Sequence, residues 1–503
     1  MSSPVSLPKS LLIYAITIPV ALVLGYFLTT PGDPVSSFLF LVVGCVLSTP
    51  FLLRSHHIFL VFSWNASICV FFLPGQPFLW MLLALVSLAF TVVNHILYRQ
   101  TMFISVPSVT RALLFLGLVV LLTAKLYGGV GLRSMGSSSY GGKKYFFIFC
   151  AIAGYFALTN TAIPPHRARS AVALYFLSGT TAIISHLVAL GGPAFYFLFR
   201  FFPANLASSQ VVAEHSTGGL ARLLGVSMAC TAIFSYMLAR YGIRQIFSSQ
   251  HPIRAMVFVL IAVASTFGGF RSALAWLLVL FTIQFFLEGL VRTRLCFVFV
   301  GTAILGLVLL VPFTRYLPLQ MQRSVSFLPV DVDPSIEFDT QASTDFRLEM
   351  WKVLLPELPN YLVFGKGYSL DPTDLYMTQE GTRRGFGSSY AGSLEAGDYH
   401  SGPLSIYVPL GGLGCLAFVL FLITGIRVLL RNYRYGPPEL QEVNTFLLAI
   451  FLTRVVMFIV IFGAFATEFH MFTGIIGLSV TLNRGSCGPD GEPDVSARSA
   501  LAV

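Results

Sequence analysis

LCFVFVGTAILGLVLLVPFT, residues 295–314, is a run of twenty residues without a charged side chain, and it opens onto a polar stretch, residues 315–400. That stretch holds twelve of the chain's 21 Asp and Glu residues. About 20 apolar residues suffice for a helix to cross a bilayer, and a helix satisfies its own backbone hydrogen bonds there. The first segment therefore reads as a transmembrane helix and the second as a segment in water. Outward from this junction, further apolar runs lie near residues 10–29, 35–53, 57–74, 77–97, 107–125, 145–163, 170–190, 219–239, 252–269, 271–290, 402–426, 443–463 and 468–483. The first is too long for a cleaved signal peptide and has no small-residue cleavage pattern after it, so it is retained as a helix.

Composition agrees. The chain is 56% hydrophobic and 10% charged, far from the roughly 25% charged of a soluble domain, and its mean hydropathy is +0.80. The expected fold class is all-α: a polytopic helical membrane protein of about 12–14 transmembrane helices, with one large loop containing short helices. The reading divides it into an N-terminal bundle (1–314), a polar loop (315–400), C-terminal transmembrane helices (401–483) and a disordered cytoplasmic tail (484–503). Two smaller regions stand out: a Gly/Ser stretch, Gly128–Gly142, read as a flexible outer loop, and residues 191–219, whose aromatic run Phe195–Phe202 could lie in the membrane interface.

Lys and Arg set the orientation. With a cytoplasmic N-terminus, sixteen basic residues flank the spans on the inner side and seven lie in the short outer connections, Arg133, Lys143 and Lys144 among them. The positive-inside rule then places residues 315–400 outside the cytoplasm. The net charge of +10 is no signal for nucleic acid, because residues 315–400 carry seven basic against twelve acidic side chains. The excess sits where it anchors helices in a bilayer. None of the seven cysteines lies in the polar stretch, so neither a disulfide framework nor a thiolate metal site is offered there.

The polar stretch and its flanks carry the chemistry. Gly268-Gly269-Phe270-Arg271-Ser272-Ala273-Leu274 opens an apolar helix with an arginine at its outer mouth. Ser343-Thr344-Asp345-Phe346-Arg347-Leu348-Glu349-Met350-Trp351 predicts a helix capped by Ser343 or Thr344, with Phe346, Met350, Leu354 and Leu355 on one face. Phe364-Gly365-Lys366-Gly367 is a short glycine turn, and Asp398-Tyr399-His400-Ser401-Gly402-Pro403-Leu404 leads into a helix containing Gly411, Gly412 and Gly414. Singly, an arginine at a helix mouth snorkels to headgroups and a histidine at a membrane boundary is an interface residue. Together and in this order, they are candidate site residues.

In that order and spacing, residues 255–425 resemble the O-antigen ligase and O-antigen polymerase superfamily, bacterial membrane glycosyltransferases of the C-type architecture. The likeness rests on Arg271-Ser-Ala, Arg347-x-x-x-Trp351, Phe364-Gly365-x-Gly367, and His400 followed by Leu404 and the Gly411–Gly414 turn. Ser401 replaces the Asn that family members carry after the histidine, and Glu214–Gly219 stands where they have a Pro-Asn element. The resemblance implies transfer of a glycan from an undecaprenyl pyrophosphate carrier to an acceptor hydroxyl, in lipid A-core or a growing glycan, at the outer face of the bacterial inner membrane, with no cofactor. Arg271 and Arg347 would grip the pyrophosphate, since guanidinium stays charged and binds oxygens in pairs. His400 would accept the acceptor's proton or hold it in line. Arg222, Asp345, Asp398 and Arg454 are the candidate substrate-binding residues. Arg454 stands mid-span, where a charge is costly, and would face either carrier phosphate or a structural partner such as Glu288. Asp331-Val332-Asp333 matches the Asp-x-Asp of metal-dependent transferases, but its proline-rich context favours bystanders and no metal is expected. A lipid-linked-glycan transporter or a non-catalytic export scaffold remain as alternatives.

The charge asymmetry makes a direct prediction. Single cysteines introduced at Ser369 and Ser388 are expected to react with a membrane-impermeant thiol reagent in intact spheroplasts. Labelling only after lysis would reverse the topology.

Overall fold

The computed structural model describes residues 55–98 apart from 74, 104–131 apart from 105, 140–208, and 221–489 apart from 385–387 and 389, with scattered positions before residue 55. The spans expected at 10–29 and 35–53, the Glu214–Gly219 element and the last fourteen residues lie largely or wholly outside the described residues. Among those described, the chain is helical throughout, and its only β-pairs are the isolated bridges Cys69–Phe78 and Tyr140–Leu370. The protein is an all-α polytopic membrane protein.

The helices before the polar stretch are α1 Leu79–Tyr98, α2 Pro107–Tyr127, α3 Gly142–Leu158, α4 Pro165–Leu177 and α5 Ile183–Gly191. They continue as α6 Leu224–Ile246, α7 Pro252–Thr266, α8 Arg271–Leu287 and α9 Arg294–Phe313. Four loop helices follow: the short α10 Leu319–Val325, the longer α11 Pro334–Leu354, and the short α12 Pro372–Arg383 and α13 Ala391–Glu395. The chain closes with α14 Gly402–Tyr435, α15 Gln441–Val460 and α16 Phe465–Asn483. Eight helical segments among the described residues are long and apolar enough to cross a membrane, α4 and α5 counting as one, and α7 and α8 are shorter apolar helices.

Burial follows sequence. α9 has no buried residue and consists almost wholly of Leu, Val, Phe, Ile and small residues, the composition of a helix facing lipid on every side. α16 is the opposite: nearly all of its residues from Phe469 on are buried, and its small and polar positions, Thr473, Gly474, Gly477 and Ser479, let neighbours approach closely. α16 packs on α3, α14 on α2 and α15, so the helices before and after the polar stretch share one buried core running from Leu60 to Leu482.

Two expectations change. The span placed at 57–74 is helical only to residue 63, after which the chain continues without helix to Phe78. Hydropathy registers burial, and here protein replaces the missing helical bonds: Ser67 N donates to Thr181 Oγ1 at 2.9 Å, and Asn65 Nδ2 to the Tyr175 carbonyl at 2.7 Å. The tail also starts later than expected. Cys487 N donates to Asn432 Oδ1 at 2.9 Å, and Asn432, Asn444 and Asn483 interlock at the ends of α14, α15 and α16. The aromatic run forms a 3-10 helix, Pro193–Arg200, with no buried residue.

The loop is clamped into the bundle by a broken helix. α14 leaves helical geometry at Gly411, where φ is +70°, after Pro409, which cannot donate its own hydrogen bond. The carbonyls freed there accept from the loop: Lys366 N to Val408 O at 2.9 Å and Gly367 N to Pro409 O at 3.0 Å. In return Gly412 N donates to Leu362 O at 3.2 Å. The two glycine motifs are thus halves of one joint. A Cβ on Gly365 would lie 2.2 Å from the Pro409 carbonyl carbon, so Gly365→Ala is expected to cost about 1–3 kcal/mol. A lowered melting temperature of the purified protein checks this, and an unchanged one would mean that the clamp is loose.

Candidate active site

The site is assembled at the loop end of the bundle, starting from the helix that carries Arg347. α11 begins at Pro334, not at Ser343: Asp333 is its N-cap, accepting from Ser335 N at 2.9 Å, and Pro334 occupies the first turn where its missing N–H costs nothing. The longer helix places Asp339, Ser343 and Arg347 four residues apart on one stripe. Asp339 and Arg323 are the two residues that sequence reasoning missed. The signal was Asp333-Pro334-Ser335, a cap followed by proline, which would have put Asp339 on the same face as Arg347.

Asp339 is the hub. Its Oδ1 accepts from Arg222 Nη2 at 2.9 Å and its Oδ2 from Arg323 Nε at 2.6 Å. The Arg323 side chain is only 5% exposed and its Nη1 also donates to the Gly269 carbonyl. Ser324 Oγ donates to the Thr266 carbonyl at 2.7 Å, so α10 is fastened onto the turn between α7 and α8. That turn presents Arg271, which stands within electrostatic reach of Arg222, Arg323, Arg347 and Asp339. Two guanidinium groups therefore bind one carboxylate, and Arg271 links this pair electrostatically to Arg347.

The electrostatics leave this cluster short of negative charge. Burial lowers the pKa of Arg323, and repulsion from Arg222 and Arg347 adds to it against the opposing bond to Asp339. Burial alone lowers that of Arg347. Burial pushes Asp339 upward, but its bonds and attraction to Arg323 and Arg222 outweigh this and hold it below the ordinary carboxylate value. An anion entering here meets desolvated cations already in place.

His400 lies on the Arg347 side. Its backbone takes the left-handed conformation, φ +48°, uncommon for a residue with a side chain, and the Trp351 indole holds the turn by donating to the Tyr399 carbonyl at 2.9 Å. One helix thus delivers Arg347, Phe346, whose ring meets His400 at 5.7 Å, and Trp351. Burial lowers the His400 pKa, Asp398 raises it and Arg347 lowers it. Asp398 Oδ1 is 3.9 Å from Nδ1, beyond hydrogen-bond range, and Nδ1 has no hydrogen-bond partner among the described residues. The imidazole thus holds a buried nitrogen without a hydrogen-bond partner among the described residues.

The other candidates fall in different places. Asp345 is exposed on the flank of α11. Arg454 lines a cavity beneath the cluster and lies over the Trp276 ring at 4.8 Å, with Glu468 as its acidic neighbour. Glu288, the partner considered for it, instead binds Ile243 N at 2.8 Å and Arg244 N at 3.2 Å beyond the kink at Gly242. The Asp-x-Asp pair is also spoken for: Asp331 pairs with Arg315 at 2.8 Å and Asp333 caps α11.

A family model described as O-Antigen ligase matches residues 255–422, a third of the chain. Those residues are similar to the O-antigen ligase family. The O-antigen ligase segment includes Arg271, Arg323, Asp339, Arg347, His400 and both halves of the glycine joint, while Arg222 joins from outside it. It supports a glycan-transfer role at the membrane. No curated protein matches the chain.

Asp339 can be tested apart from any activity. Asp339→Ala would leave buried Arg323 with only the Gly269 carbonyl, at an expected cost of about 1–3 kcal/mol, the range for an unmet buried polar group and less than for a fully buried pair because this carboxylate is a third exposed. Thermal unfolding in detergent should show the loss, and Asp339→Glu should recover part of it. Equal stability of all three proteins would deny Asp339 its organising role.

Proposed function

We propose that the protein is a membrane glycosyltransferase that moves a glycan from an undecaprenyl pyrophosphate carrier to an acceptor hydroxyl on the extracytoplasmic side of the bacterial inner membrane. The acceptor is lipid A-core or a growing glycan. The observation that carries this reading is the cluster of Arg222, Arg271, Arg323 and Arg347 about the single carboxylate of Asp339, with His400 beside it.

In this reading the acceptor oxygen attacks the anomeric carbon of the donor sugar as the bond from that carbon to the pyrophosphate oxygen breaks. The electron pair of the broken bond leaves with the lipid pyrophosphate, and the arginines stabilise the charge that gathers on it. Arg347 and Arg271 grip the leaving group; Arg222 and Arg323, tied to Asp339, fix the cluster's geometry. The acceptor's proton passes to His400, which is neutral at neutral pH because its pKa lies below the ordinary imidazole value. With arginine supplying the stabilising charge and both acids of the Asp-x-Asp engaged elsewhere, transfer proceeds without a divalent metal. The alternative of a glycan transporter has no use for a base next to a phosphate-binding cluster.

The test is transfer by the purified protein, in EDTA, from lipid-linked glycan to lipid A-core or to a second lipid-linked chain. Turnover should stay level as pH falls to 6.5, the ordinary imidazole value, and decline only below it as His400 protonates. Asp398→Asn removes the charge that raises the His400 pKa, so it should move that decline further into acid. Arg347→Lys should lose about a hundredfold or more, nearly as much as Arg347→Ala, because lysine keeps the charge but not the fork that holds two oxygens. Wild-type rates in His400→Ala and Arg347→Ala would refute the assignment.

A further inference from the structure

The bundle is broken on two sides of one cavity. The helix over residues 55–63 stops at Trp64, and the segment from Pro165 to Gly191 is interrupted by a 3-10 turn, Ser178–Ala182. Backbone that leaves the helix at membrane depth is tolerated where protein buries it or where it lines a cavity. Here Asn65 and Gly179, one from each break, line a cavity of about 380 Å³ walled by α6, α8, α15 and α16.

The cavity opens under the proposed reaction centre. Ser272, next to Arg271, lines it, and so does Phe462, whose ring meets that of His400 at 5.6 Å. Its far end reaches Ser235, eleven residues into α6, which at 1.5 Å per residue is about 16 Å below the start of that helix. Arg454 and Glu468 both line it, within electrostatic reach of one another, and two N–H donors there are buried without an acceptor among the described residues: Arg454 Nε and Trp276 Nε1.

These groups discriminate between occupants. Pyrophosphate has a better site just above, where Arg222, Arg271, Arg323 and Arg347 gather with one carboxylate between them; the cavity holds one arginine beside one acid. A polyprenyl tail would leave the two donors unmet, which is costly away from water. A sugar ring brings hydroxyls that accept from Arg454 and Trp276 and donate to Glu468, and a site of this volume lies within the range of small-ligand pockets, about 300–1,000 Å³.

We propose that this cavity is a sugar subsite: the ring next to the reacting bond descends into the bundle and is held by Arg454, Trp276 and Glu468. The inference rests on the glycan-transfer reading above. The ring belongs either to the donor glycan or to the acceptor, and the two are separable by experiment.

The full-length protein in nanodiscs would be tested for binding of bare undecaprenyl pyrophosphate and of the same carrier bearing glycan extracted from the producing cells, and for its KM toward the acceptor. Trp276→Phe removes one donor and retains an aromatic ring; Arg454→Gln removes the cation. If the donor sugar occupies the cavity, each variant should bind the glycan-bearing carrier about tenfold more weakly, the worth of one hydrogen bond, with affinity for the bare carrier unchanged. If the acceptor sugar does, its KM should rise by a similar factor with both carriers bound normally. Wild-type behaviour of both variants in every arm would make the cavity a water-filled void and overturn the proposal while Arg347→Ala still impairs transfer. Loss of bare-carrier binding would overturn it differently, by placing pyrophosphate in the cavity. Failure of the wild-type protein to bind or use any lipid-linked glycan would sink the glycan-transfer reading itself.

Discussion

The bridge from Asp339 to Arg222 and Arg323 ties together three parts of the chain: the entrance to α6, the short α10 and the long loop helix α11. Without it, Arg323 would be a nearly buried cation with a single carbonyl partner, and neighbouring arginines would repel one another. The carboxylate makes their convergence tolerable without cancelling it. Two of the four guanidinium groups are tied to it and the remaining charge is left for an incoming anion. A site for a multiply charged leaving group has to be built this way, since cations enough to bind it are too many to stay together unaided.

The second constraint is backbone. A loop of more than 80 residues between α9 and α14 would wander if anchored only at its ends. Breaking α14 at Pro409 and Gly411 exposes carbonyls that must be satisfied, and the Lys366 and Gly367 amides satisfy them. Lys144 adds a second tether by donating to the Ala396 and Gly397 carbonyls. The Lys144 charge thus has a structural use in holding the loop.

What the sequence made legible follows from which forces act locally. Long apolar runs announce helices because the bilayer enforces them, and from α1 onward the expected spans lie close to those observed. The break after residue 63 was invisible, since a buried extended chain and a buried helix have the same hydropathy. Arg271, Arg347 and His400 could be singled out because motif order is a property of sequence, and Arg347 stands within electrostatic reach of both of the others. Asp339 was missed through a helix start misplaced by nine residues, a failure to weigh a capping aspartate followed by proline. The acidic neighbour of Arg454 was missed for another reason. Glu468 lies on the next helix, at a depth no local pattern reports, whereas Glu288 looked equally buried but serves the backbone beyond a kink.

The site divides its work by depth. At the loop end the charges are unbalanced and positive, which on the proposed reading suits the pyrophosphate of a lipid carrier. Deeper in the bundle Arg454 stands beside Glu468, and two buried hydrogen-bond donors lack an acceptor among the described residues. His400 lies at the boundary, with Arg347 on one side and Phe462, a wall of the cavity, on the other. On the proposed reading, a base at that boundary would serve both the departing charge and the ring beneath it. Its left-handed backbone is then intelligible: an ordinary conformation before the first turn of α14 would point the ring elsewhere, and the Trp351 bond to Tyr399 with the packing of Phe346 supplies the contacts that hold the uncommon one.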